Sequence, residues 1–556
     1  MPFLLVSIVL WLGALFGLGV WFKVLVFPHQ SEAHRSTSLS LVLFLGLFAT
    51  GMISVLINYF TPVSIWISGV VLMLGWVLTA RYRADLYCVI NLNRFKLLGL
   101  FVLIVSLISV VSFYNVDTGY YHVASIAVNR EFPVLPGVAN LFGPFGHNSV
   151  WFLIESLFTF TSVGSADTFS LNPLLAVLFL IFLAERVGIA DPMNLVFILV
   201  SLLFLNQSFI SIGGVTPDFP SYVLGAVVSW FALDSFAQGR GVGTMEKCYV
   251  ILLMVLAVTV KISNLLILFP TFYIVGTDSS GQWSIKTLCL MTRDKIMRRM
   301  FGVVCVFVGL WVVRNILLSG CIVYPQPATC ISAVPWAMPK AWVTEWLVDI
   351  KYHLCSVRET GTIFAQSACF TEWTKRLLRE PIVKYGAILF LGALAYRIFS
   401  TKNQKLRFSK MNSRFIVFLG LGLLLPAITW LVLAPNIRFA LWLFIFFISF
   451  VTNVTLPEFQ LNEKQRQILF LFCLMLGAAN TIRTAVITRP GEIPWMSWPN
   501  LPKVGVINVF ESGGLKVFKP ESGFQCWSSQ APCTPQLKAV EVKKWMGRFV
   551  ILPKLN

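Results

Sequence analysis

Apolar runs recur along almost the whole of this 556-residue chain. They fall near 3–27, 38–60, 63–80, 97–114, 173–185, 194–212, 220–237, 248–260, 263–276, 300–318, 381–398, 415–433, 438–455 and 467–482. A helix crosses the hydrocarbon core of a bilayer in ~20 apolar residues, so the runs predict about fourteen transmembrane helices, several of them short. In lipid, each backbone N–H and C=O must be satisfied within the spanning structure, which makes helix the outcome for isolated runs of this kind. The expected fold class is an all-α integral membrane protein with extracytoplasmic loop helices and a small extracytoplasmic C-terminal tail. A hydrophobic content of 57% and a mean hydropathy of +0.79 leave little room for a soluble domain. The first run has no basic residues ahead of it and no small-residue cleavage site, so it reads as a retained helix, not a signal peptide.

A formal net charge of +19 raises the question of nucleic acid. The Lys and Arg residues, however, sit in short clusters between apolar runs, and no basic soluble domain exists to carry such binding. The clusters are Lys23 with Arg35, Arg81 to Lys96, Arg240 with Lys247, Lys286 to Arg299, Lys402 to Arg414, and Lys464 with Arg466. Placed together on the cytoplasmic side, they let the runs alternate without contradiction. Both termini then lie outside, with 115–172, 213–219, 319–380 and 483–556, and 248–276 must break at Lys261–Asn264. The organisation expected is a three-helix segment over 1–96, a membrane core over 97–482 and a tail over 483–556.

Of 11 cysteines, Cys321, Cys330, Cys355, Cys369, Cys526 and Cys533 fall in the segments assigned outside. An even number on an oxidising face reads as disulfides, and no CxxC pair supports zinc. Cys526 and Cys533, with six residues between them in CWSSQAPCTP, close a loop; Cys321–Cys330 and Cys355–Cys369 follow by proximity. The tail around them has β-like stretches at 504–510 and 515–518.

Polar residues gather at the same boundary, and ionisable groups beside hydrocarbon are functional candidates by default. The segment 115–152, NVDTGYYHVASIAVNREFPVLPGVANLFGPFGHNSVWF, holds Asp117, His122 and His147 in a chain with 12% charged residues. Its Pro/Gly series predicts an irregular loop after a short surface helix capped by Thr118. Asp218, in GGVTPDFPSY, either caps a helix N-terminus or belongs to a site. Lys261, in VTVKISN, either snorkels to the interface or meets an anion in the break. Arg314 and Asn315, in WVVRNILLSGCIVYP, and Arg438, in WLVLAPNIRF, offer donors suited to phosphate, or the arginines form a structural pair with a carboxylate such as Asp218 or Glu155. No P-loop, dinucleotide fingerprint, HExxH or GxSxG is present, so a free cytosolic nucleotide is not the expected substrate.

The sequence DTGYYHVASIAV resembles the opening of the first large extracytoplasmic loop in the multispanning, polyprenyl-phosphate-dependent glycosyltransferases of the GT-C superfamily. YHVASIAVNREFPVLPGVANL, WVVRNILLSGCIVYP, WLVLAPNIRF and CWSSQAPCTP, in that order, look like one largely uncharacterised bacterial family of such proteins. The resemblance implies an inverting transfer of sugar from a polyprenyl-phosphate carrier to a glycan, lipid or protein acceptor, at the outer face of the bacterial cytoplasmic membrane. It implies Asp117 as general base, with Lys261, Arg314 and Arg438 supporting the leaving phosphate, and with His122, His147, Asp218 and Asn315 binding substrate. Two departures stand out: three spans precede the region of resemblance, where the family places its acidic loop after the first span, and no second acidic residue adjoins Asp117. The second argues against a metal-bridged mechanism and leaves no cofactor dictated, with a divalent metal as an open alternative. An O-antigen polymerase or ligase, with Arg358, Arg376 and Arg379 in its outer loop, and a lipid-linked glycan flippase are the rival readings.

Overall fold

The computed structural model describes residues 2–27, 38–112, 114–161, 167–189, 191–208, 212–355, 367–380, 413–433, 435–455, 461–488, 504–527 and 529–554, with scattered positions over 383–395. The helices are α1 (Pro2–Val26), α2 (Leu39–Phe60), α3 (Ile65–Arg81), α4 (Arg83–Val89), α5 (Leu92–Val111), α6 (Val123–Glu131), α7 (Val150–Phe158), α8 (Leu171–Val187), α9 (Pro192–Ser208) and α10 (Asp218–Gln238). They continue with α11 (Thr244–Val260), α12 (Leu268–Gly276), α13 (Ile285–Met291), α14 (Lys295–Ser319), α15 (Lys340–Cys355), α16 (Ser367–Arg379), α17 (Ser413–Val417), α18 (Leu425–Leu433), α19 (Leu441–Thr455) and α20 (Glu463–Thr488).

This is an α-helical membrane protein. Among the described residues seven helices are long and apolar enough to cross a bilayer, or eight if α3 and α4, bent by 75°, form one span. Three shorter apolar helices, Pro192–Asn206, Ile262–Gly276 and Leu441–Thr452, stand beside them. The expected fourteen is therefore not reached on length and composition. Several runs end after 17 helical residues, α9 and α11 among them, and the run at 381–398 lies largely outside the described residues.

Helices apolar on all sides need neighbours or lipid around their whole circumference. α1 and α2 solve this by close approach: a Cβ at Gly19 would stand 2.0 Å from the Val42 carbonyl oxygen, and one at Gly46 2.0 Å from that of Leu15. Only glycine permits that crossing, the usual device where helices pack without a hydrophobic driving force between them. The N-terminal helices share one continuous core with α5, α7, α8, α10, α11 and α19.

The break expected at Lys261 is present. α11 stops at Val260, Lys261 is extended (φ −155°, ψ 123°), and a 3-10 turn over Ile262–Ile267 leads into α12. Asn264 Nδ2 holds the break by donating to the Ala257 carbonyl at 2.7 Å and to Ser221 Oγ at 2.9 Å. The two halves form a hairpin, because Lys247, at the start of α11, donates to the Val275 and Thr277 carbonyls at the end of α12 (3.1 and 2.6 Å). Arg466 does the same for α8, donating to the Val187 and Gly188 carbonyls at 2.7 and 3.0 Å. Both basic side chains satisfy carbonyls that a helix end leaves open.

At the other end of the bundle lies a polar layer made from three distant parts of the chain. Asn140 Nδ2 donates to the Trp336 and Ile551 carbonyls (3.0 and 3.1 Å), Ile551 N donates to the Pro136 carbonyl (2.9 Å), and Lys538 pairs with Glu345 (2.8 Å). The segments 115–152, 319–346 and 504–554, which charge alone placed on one side, thus pack against one another. The tail departs from an all-α fold. β3 (Val506–Ser512) pairs with β4 (Leu515–Pro520), and β5 (Val540–Trp545) with β6 (Arg548–Pro553), both antiparallel; β1 (Phe160–Thr161) and β2 (Asp167–Thr168) are one short ladder elsewhere. The β-like stretches read from sequence match the first hairpin; the second was not read. Disulfides join Cys321 to Cys330 and Cys526 to Cys533. The side chains of Cys355 and Cys369 lie outside the described residues.

Candidate functional site

Four charged side chains from four separate elements meet where α10, the Lys261 break and the turn before α19 come together with the loop after α5. They form a chain of alternating sign: Asp117, Arg438, Asp218, Lys261. Arg438 Nη1 stands 3.2 Å from Asp117 Oδ2 and 3.9 Å from Asp218 Oδ2, and Lys261 Nζ donates to Asp218 Oδ1. All four are partly open to the outside, from 21% for Asp218 to 45% for Arg438.

Each is set in place by its local backbone. Asp117 sits in the turn ahead of a π-helical segment, Thr118–His122, that runs into α6. Asn115, not Thr118, is the capping acceptor: its Oδ1 takes bonds from Thr118 N (2.9 Å) and Oγ1 (2.6 Å). π turns are rare and cluster at functional sites. Asp218 opens α10 but makes no capping bond with its side chain; its carboxylate is spent on Lys261 and Arg438, in the favourable field of a helix N-terminus. Arg438 lies in a 3-10 turn (Ile437–Phe439), where its N–H donates to Asn436 Oδ1 at 3.1 Å. Two indoles fix that turn: Trp430 donates to the Asn436 carbonyl at 2.9 Å, and Trp373 to that of Pro435. Phe439 offers its ring face to Lys261 Nζ at 4.1 Å, a cation–π contact.

His122 is 1% exposed and lies beneath this chain of charges. Its ring meets Tyr121 edge-on at 4.3 Å and Phe152 at 5.2 Å, and its Nδ1 has no partner among the described residues. Burial pushes its pKa down to about 4 against the opposing pull of Asp117 and Asp218, so the imidazole is neutral at pH 7. For Arg438, burial works against the charge, but Asp218 and Asp117 outweigh it and raise the pKa further.

The other expected residues lie elsewhere. Arg314 is 4% exposed and is held by amide oxygens. Its Nη1 donates to Asn148 Oδ1 at 2.5 Å and its Nη2 to Asn129 Oδ1 at 2.9 Å and Asn58 Oδ1 at 3.2 Å. That side chain clasps α2, α6 and the approach to α7. Asn315 is buried and donates to the Ile322 carbonyl at 3.0 Å, bracing the turn into the Cys321–Cys330 loop. His147 Nε2 accepts from Trp346 Nε1 at 3.1 Å, between the rings of Tyr324 and Trp346. The three asparagines around Arg314 were not read from sequence; Asn58, a lone amide inside an apolar run, was the legible sign. Among the described residues no three of His, Cys, Asp and Glu converge as metal ligands. Asp117 and Asp218 each face a cation.

Fold and site together define an α-helical membrane protein with an ionic cluster at the mouth of one end of its bundle. The chain belongs to the family described as a domain of unknown function, DUF8201, whose model matches residues 1–446. No curated protein and no solved structure matches it.

Proposed function

We propose that this protein is an inverting glycosyltransferase, moving a sugar from a polyprenyl-phosphate donor to a glycan, lipid or protein acceptor at the outer face of a bacterial cytoplasmic membrane. The observation that carries this reading is the convergence of Asp117, Arg438, Asp218 and Lys261 at one end of the bundle. A carboxylate beside two cations matches what inversion needs: a base on one side of the anomeric carbon and cationic support for the leaving phosphate on the other. The GT-C resemblance of the Asp117 loop supports the same assignment.

In this reading the donor phosphate takes Lys261 and Arg438 from their carboxylate partners, and Asp117 is released to act. The acceptor oxygen attacks the anomeric carbon and its proton passes to Asp117. The bond from that carbon to the phosphate oxygen breaks, and its electron pair leaves with polyprenyl phosphate. Neutral His122 beneath the cluster keeps Asp117 from gaining a competing cationic neighbour. Both termini lie outside and the count of spans remains near fourteen, with the short hairpin α11–α12 as two of them. Purified protein in lipid nanodiscs, offered a panel of polyprenyl-phosphate sugars, should release polyprenyl phosphate from at least one. Turnover of none would overturn the proposal, and movement of a donor across vesicles without chemical change would replace it with a flippase.

A further inference from the structure

The C-terminal tail does more than cover the polar layer. Its Cys526–Cys533 loop reaches the backbone on both sides of Asp117. Gln525 Nε2 donates to the carbonyl of Val116, one residue before Asp117, at 3.2 Å. The N–H groups of Cys526 and Trp527 both donate to the carbonyl of Gly119, two residues after it, at 2.8 and 3.2 Å. A carbonyl oxygen has two lone pairs, so one oxygen takes both bonds.

The indole of Trp527 completes the contact. A Cβ at Gly119 would stand 2.5 Å from Trp527 Cε2 and 2.7 Å from two further ring atoms. Any side chain there would therefore strike the ring, and glycine is what lets the indole lie on the π turn. The same ring meets Tyr114 edge-on at 6.0 Å and packs on the cluster of Val123, Ile126, Phe152, Phe169 and Val215. Trp527 holds a left-handed backbone, φ 42°, which a bulky residue adopts only where its surroundings impose it. The disulfide closes the loop on one side and Thr534 N anchors its far end to the Phe518 carbonyl of β4 at 2.9 Å.

We infer that this disulfide loop is a clamp on the π turn, and that Trp527 is a positioning residue fixing the backbone from which Asp117 reaches the cluster. A π turn has poorer hydrogen-bond geometry than an α-helix and persists where its surroundings over-determine it. The clamp supplies two bonds and one ring to the five-residue π turn, and a third bond to Val116 just ahead of it. The inference rests on the glycosyl-transfer reading only for its effect on turnover.

The test uses the full chain in nanodiscs, as wild type, Trp527→Ala, Trp527→Phe, Gly119→Ala and the double variant Cys526→Ser, Cys533→Ser. Two readouts need no assumed activity: amide exchange over 114–123, and carbodiimide labelling of the Asp117 carboxylate, both by mass spectrometry. In Trp527→Ala and Gly119→Ala, exchange over 114–123 should quicken about tenfold or more while the bundle helices keep their protection. Asp117 should label faster, having left Arg438, and Trp527→Phe should restore most of both. Where a donor is turned over, kcat should fall about 10²-fold, the scale of an ångström-sized misplacement, with donor KM unchanged because Lys261 and Arg438 are intact. Unchanged exchange in Trp527→Ala and in the cysteine double variant overturns the clamp. Faster exchange with unchanged labelling of Asp117 overturns the positioning role. Absence of turnover in wild type would count against glycosyl transfer alone, since labelling still decides where Asp117 sits.

Discussion

Arg438 Nη1 lies 3.2 Å from Asp117 Oδ2, although 321 residues separate the two in the chain. Both are partly exposed, at 45% and 32%, and exposed ion pairs contribute about 1 kcal/mol or less. The contact is therefore too weak to explain as a stability device. On the proposed reading its consequence is chemical: a cation that gives up its carboxylate cheaply is suited to binding a phosphate and freeing a base.

Replacing Asp117 with Asn keeps its size and removes the proton acceptor. Turnover should fall by about 10² to 10⁴, the usual scale for loss of a general base. Donor affinity should be kept, since the proposal assigns the phosphate to Lys261 and Arg438. Near-normal turnover per folded molecule, measured beside donor binding, would remove Asp117 from the chemistry.

Lys261→Ala leaves Asp218 half-buried without its ammonium partner, a loss of about 1–3 kcal/mol in stability. Adding Asp218→Asn removes the stranded charge, so the double variant should recover part of that loss. Thermal melts of the four proteins form a double-mutant cycle, and strict additivity would deny the coupling.

Arg314 behaves differently because it is enclosed. Arg314→Met leaves the amide oxygens of Asn58, Asn129 and Asn148 without their donor, and the loss should be about 3 kcal/mol or more. Arg314→Lys cannot reproduce the planar fork and should recover little. Donor affinity per folded molecule should not move in either variant; a weakened affinity would return Arg314 to the binding site.

His122 ties stability to pH. In the unfolded chain it takes up a proton near its ordinary value of 6.5, but in the folded protein only near about 4. Between these values the unfolded state binds more protons, so stability rises with pH across the window. The contribution is complete above 6.5 and is lost as pH falls toward 4, at up to about 1.4 kcal/mol per pH unit. His147, pushed down to about 4 by burial and by Lys261, acts in the same direction. Melting temperatures from pH 4.5 to 7 should slope less in His122→Phe, and least when His147 is also replaced; parallel slopes would contradict this.

Orientation has its own test. If the basic clusters face inward as their charge predicts, a reporter active only in the periplasm should give signal after Asn556 and none within 402–414. The reverse pattern would invert the whole arrangement.

The sequence by itself determined that this chain enters a membrane as helices, because apolar runs of that length leave their backbone groups no partners but their own. It also determined the break at Lys261, since a charge followed by the polar pair Ser263 and Asn264 inside an apolar run stops the helix on either side. The Cys526–Cys533 loop and the first tail hairpin were equally local and equally legible. Only the tertiary structure decided which polar residues meet. Lys261, Asp218, Arg438 and Asp117 look no different in sequence from Arg314 or Asn315, being single polar residues at the ends of apolar runs. Whether such a residue opens on the mouth, as Arg438 does, or is enclosed by three asparagines, as Arg314 is, depends on helix packing between segments hundreds of residues apart. Propensity and periodicity carry no information on that scale. The same holds for Gly119 and Trp527: each is ordinary in its own stretch, and only their contact shows that the tail reaches the residues flanking Asp117.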